Sequence, residues 1–567
     1  MNILYFDLNN KSAKLEQAPL AMQYLGGRGL TSALNCAMTD PACHALGPLN
    51  NLIFAPGLLT GTSLVNTGRL SLGGKSPLTG GIKESNVGGA AALALARLGL
   101  GALVVRGSAE GLWVLYLDQE GKATLHPAAD LAGLMTYELC EKLITRFGPD
   151  NAICCIGPAG EKQMALASVQ ATDKDGRPCR AAGRGGLGAV MGSKGLKAIV
   201  ISQKGKHKTP YQNKEAFSKA AKELARAVKE SPFSGKVLPE LGTSALVGAV
   251  NSLGAFPSYN ATKGVFPGWE KISGEALKET LEKRGGNTTH TGCTGCIIHC
   301  SNEYLDAEGK YVTSSLEYET IWSTGGMCGI DDLDAIARMD RLCDEIGLDT
   351  IGAGVTMAIA MDAGQAQFGD AKAAEDMLIK IAEGKGLGRI LGQGPTATGN
   401  HLGHHRIPAC KNQSIAAYDP RGIQGMTATY ASCPMGADHT AGNFIGDALA
   451  GAVDPLSAKG VGELSRHKQI QVMGIDTFGI CLFAMGAATP ELLTRLYQAK
   501  TGDKKDHEGL TELWREIIKQ EITFNKRAGL TSQDDRLPEF FYQEPLPPHN
   551  KTVEMTDKEI DSIWNID

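Results

Sequence analysis

Three cysteines within eight residues constrain this chain more than any other feature: Cys293-Thr294-Gly295-Cys296-Ile297-Ile298-His299-Cys300 has a C-x2-C-x3-C spacing, with a glycine in its first loop. Thiolates held this close repel one another and are costly to bury, so a positively charged metal centre is the natural reason to collect them. A structural zinc site usually carries a second C-x2-C or H-x3-H pair nearby. Here Cys328, Cys343, Cys410, Cys433 and Cys481 all stand alone. A 4Fe-4S cluster needs only one distant fourth thiolate, so iron–sulfur is favoured over zinc and over three unliganded thiols. His299 lies inside the knot, where a histidine more often donates a hydrogen bond beside the metal than binds it.

At 567 residues the chain exceeds one compact core and divides into roughly three or four domains of usual size. A net charge of -5 leaves no basic surplus to hold a phosphate backbone, which argues against nucleic acid. No run of about 18 apolar residues occurs, so no membrane span is expected. Met1 to Leu8 carries its acid too early for a signal peptide and reads as a strand. Fourteen cysteines in such a chain suggest a reducing cytoplasm.

The pattern is α+β. Residues 1–205 are dense in short β-like runs broken by glycine: Leu52 to Gly57, Ala102 to Gly107, Leu112 to Leu117, Ala152 to Gly157 and Ala198 to Ser202. Composition turns polar near Lys204 to Lys208, and helical spacing begins at Asn213. A mainly helical domain over 206–405 carries the cysteine knot. A glycine-rich passage, Gly384 to Gly403, separates it from a second mainly helical domain over 406–567.

One short echo links the two helical regions. Asp344-Glu345-Ile346-Gly347-Leu348-Asp349 and Asp476-Thr477-Phe478-Gly479-Ile480-Cys481 share the form D-x-x-G-Φ-(D/C), each a helical pattern ending at glycine. Both could be ordinary helix–glycine–helix turns, yet the second ends in a lone cysteine where a cluster wants its fourth thiolate. In the β-rich domain, Thr67 to Gly89 and Arg180 to Lys194 are glycine-rich with arginines, a composition that lets backbone N–H groups and guanidinium forks converge on phosphate. Neither fits a nucleotide-binding pattern. Acid–base candidates are Glu317 and Glu319 around Tyr318, together with Tyr418 and His439.

Taken together, these segments resemble the aldehyde:ferredoxin oxidoreductase family, tungsten enzymes with two pterin dithiolenes and one 4Fe-4S cluster. The likeness runs nearly end to end: Leu25-Gly26-Gly27-Arg28-Gly29-Leu30, Gly68-Arg69, Gly183 to Lys194, the cysteine knot, both D-x-x-G-Φ turns, Glu317 to Thr320, Tyr418 to Gly422, Gly436 to His439, and Phe524 through Pro538. The resemblance implies that Cys293, Cys296, Cys300 and Cys481 hold the cluster. It implies that Arg69, Asn86, Gly88, Arg180, Ala181, Gly183 and Arg184 meet the pterin phosphates or their bridging magnesium. Asp344, Leu348, Asp349, Ala441, Asp476, Ile480 and Leu482 would lie along the pterins, whose pseudo-twofold arrangement gives the echo a cause. Tungsten, or molybdenum, would be bound through pterin sulfurs.

The implied activity is oxidation of aldehydes to carboxylic acids with water, passing electrons singly to ferredoxin or a small iron–sulfur subunit. Glu317, preferred to Glu319 on its distance from Cys300, is assigned as general base, with His439 and Tyr418 as proton donors. The rivals are a related tungsten enzyme reducing a carboxylic acid or aromatic thioester within a multi-subunit complex, and an iron–sulfur electron-transfer subunit without tungsten. Two departures from the family stand out. Met435 replaces an arginine before Gly436-Ala437-Asp438-His439, which removes one expected phosphate contact. No E-x-x-H occurs, so the iron site bridging some family dimers is not expected, leaving a homodimer through another surface or a hetero-oligomer open.

Overall fold

The apolar runs of the N-terminal third become strands of two sheets built to one design in the computed structural model, which describes residues 1–565. In the first, β1 (Asn2–Asp7) and β2 (Ser12–Gln17) make a hairpin, and β1 runs parallel to β6 (Leu100–Arg106). Then β3 (Leu52–Pro56), β4 (Leu70–Lys75) and β5 (Ile82–Val87) add on antiparallel, giving the order β2-β1-β6-β3-β4-β5. In the second, β7 (Trp113–Leu117) hairpins with β8 (Ala123–Pro127) and runs parallel to β12 (Leu196–Ser202). There β9 (Asn151–Cys155), β10 (Val169–Ala171) and β11 (Arg180–Ala182) follow antiparallel, so the order β8-β7-β12-β9-β10-β11 repeats the first strand for strand.

The inner strands β3, β9 and β12 are buried along their whole length, which is why they read as continuous apolar runs rather than alternations. One core joins the sheets, with Phe54, Leu72 and Leu103 of the first packed with Leu115, Ile199 and Met191 of the second half. The duplication sets β5 and β11 as counterparts at matching positions. Asn86 and Gly88 lie at the end of one; Arg180, Ala181, Gly183 and Arg184 lie on and just after the other. The glycine-rich passages therefore hold regular structure, including a helix over Leu187–Ser193.

The echo in the helical region docks onto this repeat. Helices Leu333–Ile346 and Val461–Phe478 both end in a left-handed glycine, Gly347 at φ 75° and Gly479 at φ 74°. Each turn sits on a glycine that follows an inner strand. A Cβ on Gly57, after β3, would lie 2.1 Å from Gly479 Cα, and one on Gly157, after β9, would lie 2.3 Å from the Ile346 carbonyl oxygen. Backbone bonds fix both seats, Leu58 N–H to Thr477 O at 3.0 Å and Ser168 N–H to Gly347 O at 2.9 Å. Only a residue without a side chain permits such approach.

Beyond residue 205 the chain is largely helical, as its spacing predicts, with helices Lys214–Glu230, Thr350–Asp362, Ala371–Glu383 and His507–Arg527. Three differences from the sequence reading appear. A three-stranded sheet, Asn287–His290, Ser301–Leu305 and Tyr311–Ser314, frames the cysteine knot. The Gly384 to Gly403 passage forms helices Gly386–Leu391 and Pro395–Leu402 rather than an open linker. The stretch from His404 to Asp438, whose sequence reads as loop-like, contains the buried helix Gly425–Ser432. Among the described residues, no helix is long and apolar enough to cross a membrane.

The first and last parts of the chain are joined by a buried ion pair. Arg28, on helix Gly27–Met38, donates to Glu521 through Nε at 3.1 Å and Nη2 at 2.8 Å, and Ser32 Oγ adds a third bond at 2.6 Å. Glu521 has no exposed side-chain surface, so removing its charge strands a buried guanidinium. Glu521→Ala is expected to destabilise the protein by about 3–5 kcal/mol, read as a lowered unfolding temperature. An unchanged transition would show that the pair contributes nothing net.

Candidate cofactor and active site

The strand–turn–strand frame around residues 290–301 holds the three knot cysteines on a loop against the end of β5. A Cβ on Gly88 would fall 2.3 Å from Cys293 Sγ and 3.0 Å from Arg69 Nη1. Asn66 ties the distant segments together: its N–H bonds Gly295 O at 2.9 Å, its carbonyl accepts from Cys481 N–H at 2.8 Å, and its Oδ1 accepts from Ile297 N–H at 3.3 Å. Cys481 is thereby drawn to the knot, and its thiol feels it. Burial pushes Cys481 up to about 11, Arg69 pulls it back, and Cys293 and Cys296 push it further. Cys300 is likewise driven well up by burial, then by Glu317, Cys481 and Cys293. Such a set becomes thiolate when a cation shares the site. His299, at φ 59°, turns its ring onto the Cys296 carbonyl at 3.1 Å, while its N–H points to Cys296 Sγ at 3.4 Å. It acts on the loop and on a sulfur, as its place in the knot suggests.

Of the predicted phosphate residues, Arg69, Gly88 and Arg180 lie beside this loop, and Arg184 lies against the segments of Ser414 and Ala437. Arg69 Nε donates to Asn86 Oδ1 at 2.5 Å. Arg180 Nη2 donates to Ser301 Oγ at 2.5 Å and Nη1 to Ser315 Oγ, and its guanidinium covers Gly292. Arg184 Nη1 donates to Ala437 O at 2.7 Å and Nη2 to Ser414 Oγ at 2.9 Å. Ala181 is exposed on β11, and Gly183 leaves room toward Asp349, whose Oδ1 would be 3.8 Å from an added Cβ. On the two docked turns, Asp349 caps the next helix through Ile351 N–H at 3.1 Å, and Leu348 pairs with Ala167. Burial raises Asp344 and Asp476 above the usual carboxylate range; Asp340 also raises the former, and Glu84 the latter. Ile480 is buried and Leu482 half-buried, while Ala441 packs with Ile82, Met435 and Phe524.

The two glutamates separate. Glu317 is the last extended residue before helix Tyr318–Thr320 and faces the knot: Ser315 Oγ donates to it at 2.5 Å, Thr243 Oγ1 holds its other oxygen, and Arg180 lies 3.8 Å away. Glu319 turns to the opposite side, where its Oε1 lies 3.3 Å from His439 Nε2 without hydrogen-bond alignment and its Oε2 accepts from Ala417 N–H at 3.1 Å. The Tyr418 ring sits 6.0 Å from the His439 ring. His439 and Tyr418 are thus brought together as expected, but the carboxylate with them is Glu319, not Glu317. Burial raises Glu319, against the lowering influence of His439 and the Ala417 N–H.

Five buried polar atoms facing this region have no hydrogen-bond partner: Arg180 Nε, Arg184 Nε, Asp349 Oδ2, Glu319 Oε1 and His439 Nδ1. Buried polar atoms in native proteins are nearly always paired, and these belong to phosphate-type, capping and acid–base residues. They fit an anionic cofactor with a reacting molecule beside it, and the four thiols fit an iron–sulfur cluster. Asn66 was not singled out by the sequence; an asparagine at φ 58° three residues before an arginine is a faint signal of its turn role.

Comparison with known proteins agrees. Residues 3–203 match the N-terminal domain of aldehyde ferredoxin oxidoreductase, and residues 219–565 match its domains 2 and 3. The tungsten-containing aldehyde ferredoxin oxidoreductase of Pyrococcus furiosus is 33% identical over 95% of this chain and 91% of its own length. That of Thermococcus kodakarensis is 33% identical over 96% and 91%. A more distant relative, the WOR-like subunit of an aliphatic sulfonate oxidoreductase from P. furiosus, is 25% identical over 66% of this chain and 62% of its own. Among solved structures, the active-site complex BamBC of benzoyl coenzyme A reductase, with 1,5-dienoyl-CoA, shares the fold. It has a TM-score of 0.83 and 21% identity, covering 99% of this chain and 92% of that one. Matched nearly from end to end, the chain belongs to the aldehyde ferredoxin oxidoreductase family of oxidoreductases.

Proposed function

We propose that the protein oxidises an aldehyde to a carboxylic acid, RCHO + H2O → RCOOH + 2H⁺ + 2e⁻, and that Glu319 and His439 move the protons. The observation that carries this reading is the meeting of half-buried Glu319 and His439 with buried Tyr418 on the side of the cradle away from the cysteines. A base with a raised pKa suits proton abstraction from water at neutral pH. Tyr418, whose phenol burial and Glu319 push well above its ordinary range, keeps its proton and can polarise a carbonyl oxygen. When bound, the tungsten and its pterins supply the two-electron redox step. Arg69, Arg180 and Arg184, with Asn86 and Gly88, would hold the cofactor phosphates and any bridging magnesium. Asp344, Leu348, Asp349, Asp476, Ile480 and Leu482 would lie along the pterins. Cys293, Cys296, Cys300 and Cys481 would hold the cluster from which electrons leave to ferredoxin or a small iron–sulfur subunit.

The shared fold with the BamBC complex keeps a second reading in play, the same centre working as a reductase inside a larger assembly. One experiment separates the readings. Anaerobically purified protein is expected to hold about four irons per chain together with tungsten, and to reduce a viologen dye with aldehydes. Iron without tungsten or molybdenum would leave an electron-transfer subunit. Both metals, with no aldehyde activity but dye-driven reduction of acids or thioesters, would favour the reductase.

A further inference from the structure

Lys83, on β5, is buried with only two long hydrogen bonds. Its side chain is 1% exposed, yet its Nζ has only the Met435 carbonyl at 3.3 Å and Asp438 Oδ2 at 3.5 Å. The four other buried lysines are each held more tightly. Lys75 reaches Cys43 O at 2.9 Å, and Lys197 reaches Leu134 O at 3.0 Å with Glu161 close by. Lys411 reaches Ala431 O at 2.6 Å, and Lys194 reaches Gly107 O at 3.2 Å with Asn50 O closer still. An ammonium carries three donors, and burying one with two long contacts costs free energy that a strong acceptor would recover.

The placement indicates which acceptor. The Lys83 stem is threaded over Gly185, where an added Cβ would lie 2.5 Å from its Cγ and 2.8 Å from its Cε, so the side chain runs along the Arg184-Gly185-Gly186 loop. Lys83 and Arg184 both bond the 435–438 segment, one through Met435 O and the other through Ala437 O. That segment adds one carboxylate, Asp438. Burial raises Asp438, but Lys83, His439 and Arg184 together hold it well below the usual range. Arg184 also has Asp349 Oδ2 at 3.6 Å and Lys83 also acts on the buried Glu84 carboxyl, but the contact Asp438 gives Lys83 is 3.5 Å long. Met435 itself brings no charge; its thioether sits 3.1 Å from the Glu84 N–H.

Resting on the cofactor reading above, we propose that Lys83 binds a phosphate oxygen of a pterin, as the cationic partner of Arg184 on this side of the cradle. The test is retention of cofactor in the anaerobic holoenzyme, read as pterin fluorescence after oxidation and as tungsten content, with cluster absorbance as the control for fold. Lys83→Met is expected to lose pterin and tungsten on dialysis about tenfold faster than wild type, the size of one charge-assisted hydrogen bond, with the cluster kept. Lys83→Met combined with Met435→Arg, which returns a cation to the same segment, is expected to slow that loss again. Wild-type retention in Lys83→Met overturns the proposal even if KM rises, because the anion would then be the substrate's. Wild-type protein without pterin overturns it together with the cofactor reading, so the two failures are distinct. Should Lys83→Met fail to fold, a structure of the wild-type holoenzyme decides: a phosphate oxygen within hydrogen-bond distance of Lys83 Nζ supports the proposal, and none overturns it.

Discussion

Glu319→Gln is expected to leave iron, tungsten and pterin in place and to lower kcat by about 10²- to 10⁴-fold, the usual contribution of a positioned general base. The substitution keeps the shape and the bond from Ala417 N–H but removes the carboxylate whose Oε1 lies 3.3 Å from His439 Nε2. A second reading comes from pH. Burial raises Glu319, so the base form, and with it activity, is present above that raised pKa and is lost as pH falls through it. The acid limb of the wild-type profile should therefore lie above the ordinary carboxylate range and vanish in Glu319→Gln. Glu317→Gln serves as the control. Glu317 is occupied by Ser315, Thr243 and Arg180 on the cysteine side, so turnover should persist. If Glu317→Gln abolishes turnover and Glu319→Gln does not, the roles are reversed.

Why the sequence alone cannot choose between the two glutamates of this pair is a matter of backbone geometry. Distance along the chain from Cys300 cannot separate residues two apart. In a strand, such residues share a face; in a helix, they diverge by about 200°. Glu317 is extended at φ -90°, ψ 159° and Tyr318 opens the helix, so the chain changes period between them and sends the carboxylates to opposite sides. That switch is set by packing of Tyr318, whose hydroxyl bonds Ala417 O at 2.8 Å across a hundred residues, and no local pattern records it.

The same contrast runs through the fold. Strands β3, β9 and β12 announce themselves because they are buried on both faces and therefore mostly apolar, and β6 and β7 keep apolar runs despite the exposed Arg106 and the half-buried Trp113 and Tyr116. The duplication of the domain is hidden, since its evidence lies in the outer strands. Ile82-Lys83-Glu84-Ser85-Asn86-Val87 and Arg180-Ala181-Ala182 carry charged and polar groups toward the cofactor cradle, which erases the apolar pattern. The D-x-x-G echo survives in the sequence because a left-handed helix end needs glycine whatever surrounds it. It is the visible remnant of a twofold arrangement that extends, through Gly57 and Gly157, into the sheets.

Cys481→Ala is expected to cost the iron–sulfur cluster and reduce dye-linked turnover to background, while tungsten and pterin stay bound. Cys481 differs from other lone cysteines in what it faces. Cys328 donates to Ser323 O and Gly354 O at 3.4 Å, Cys410 to Asp534 O at 3.5 Å, and Cys433 is packed with Ile82 and Phe524. These thiols are enclosed by backbone or hydrocarbon. Cys481 instead starts a 3-10 turn, is held by Asn66, and shares its surroundings with Arg69, Cys293 and Cys296. Three thiolates from the knot leave a cubane one ligand short, and in Cys481→Ala the fourth must be water or nothing. Iron content, visible absorbance and EPR of the reduced protein should fall together, with Cys433→Ala as a variant that leaves all three unchanged. Arg180 and Arg184 and the Gly347 turn are held by partners other than Cys481, so pterin retention should follow the wild type. A full cluster in Cys481→Ala would mean that the convergence organised by Asn66 serves only to join the domains, and the electron route would have to begin elsewhere.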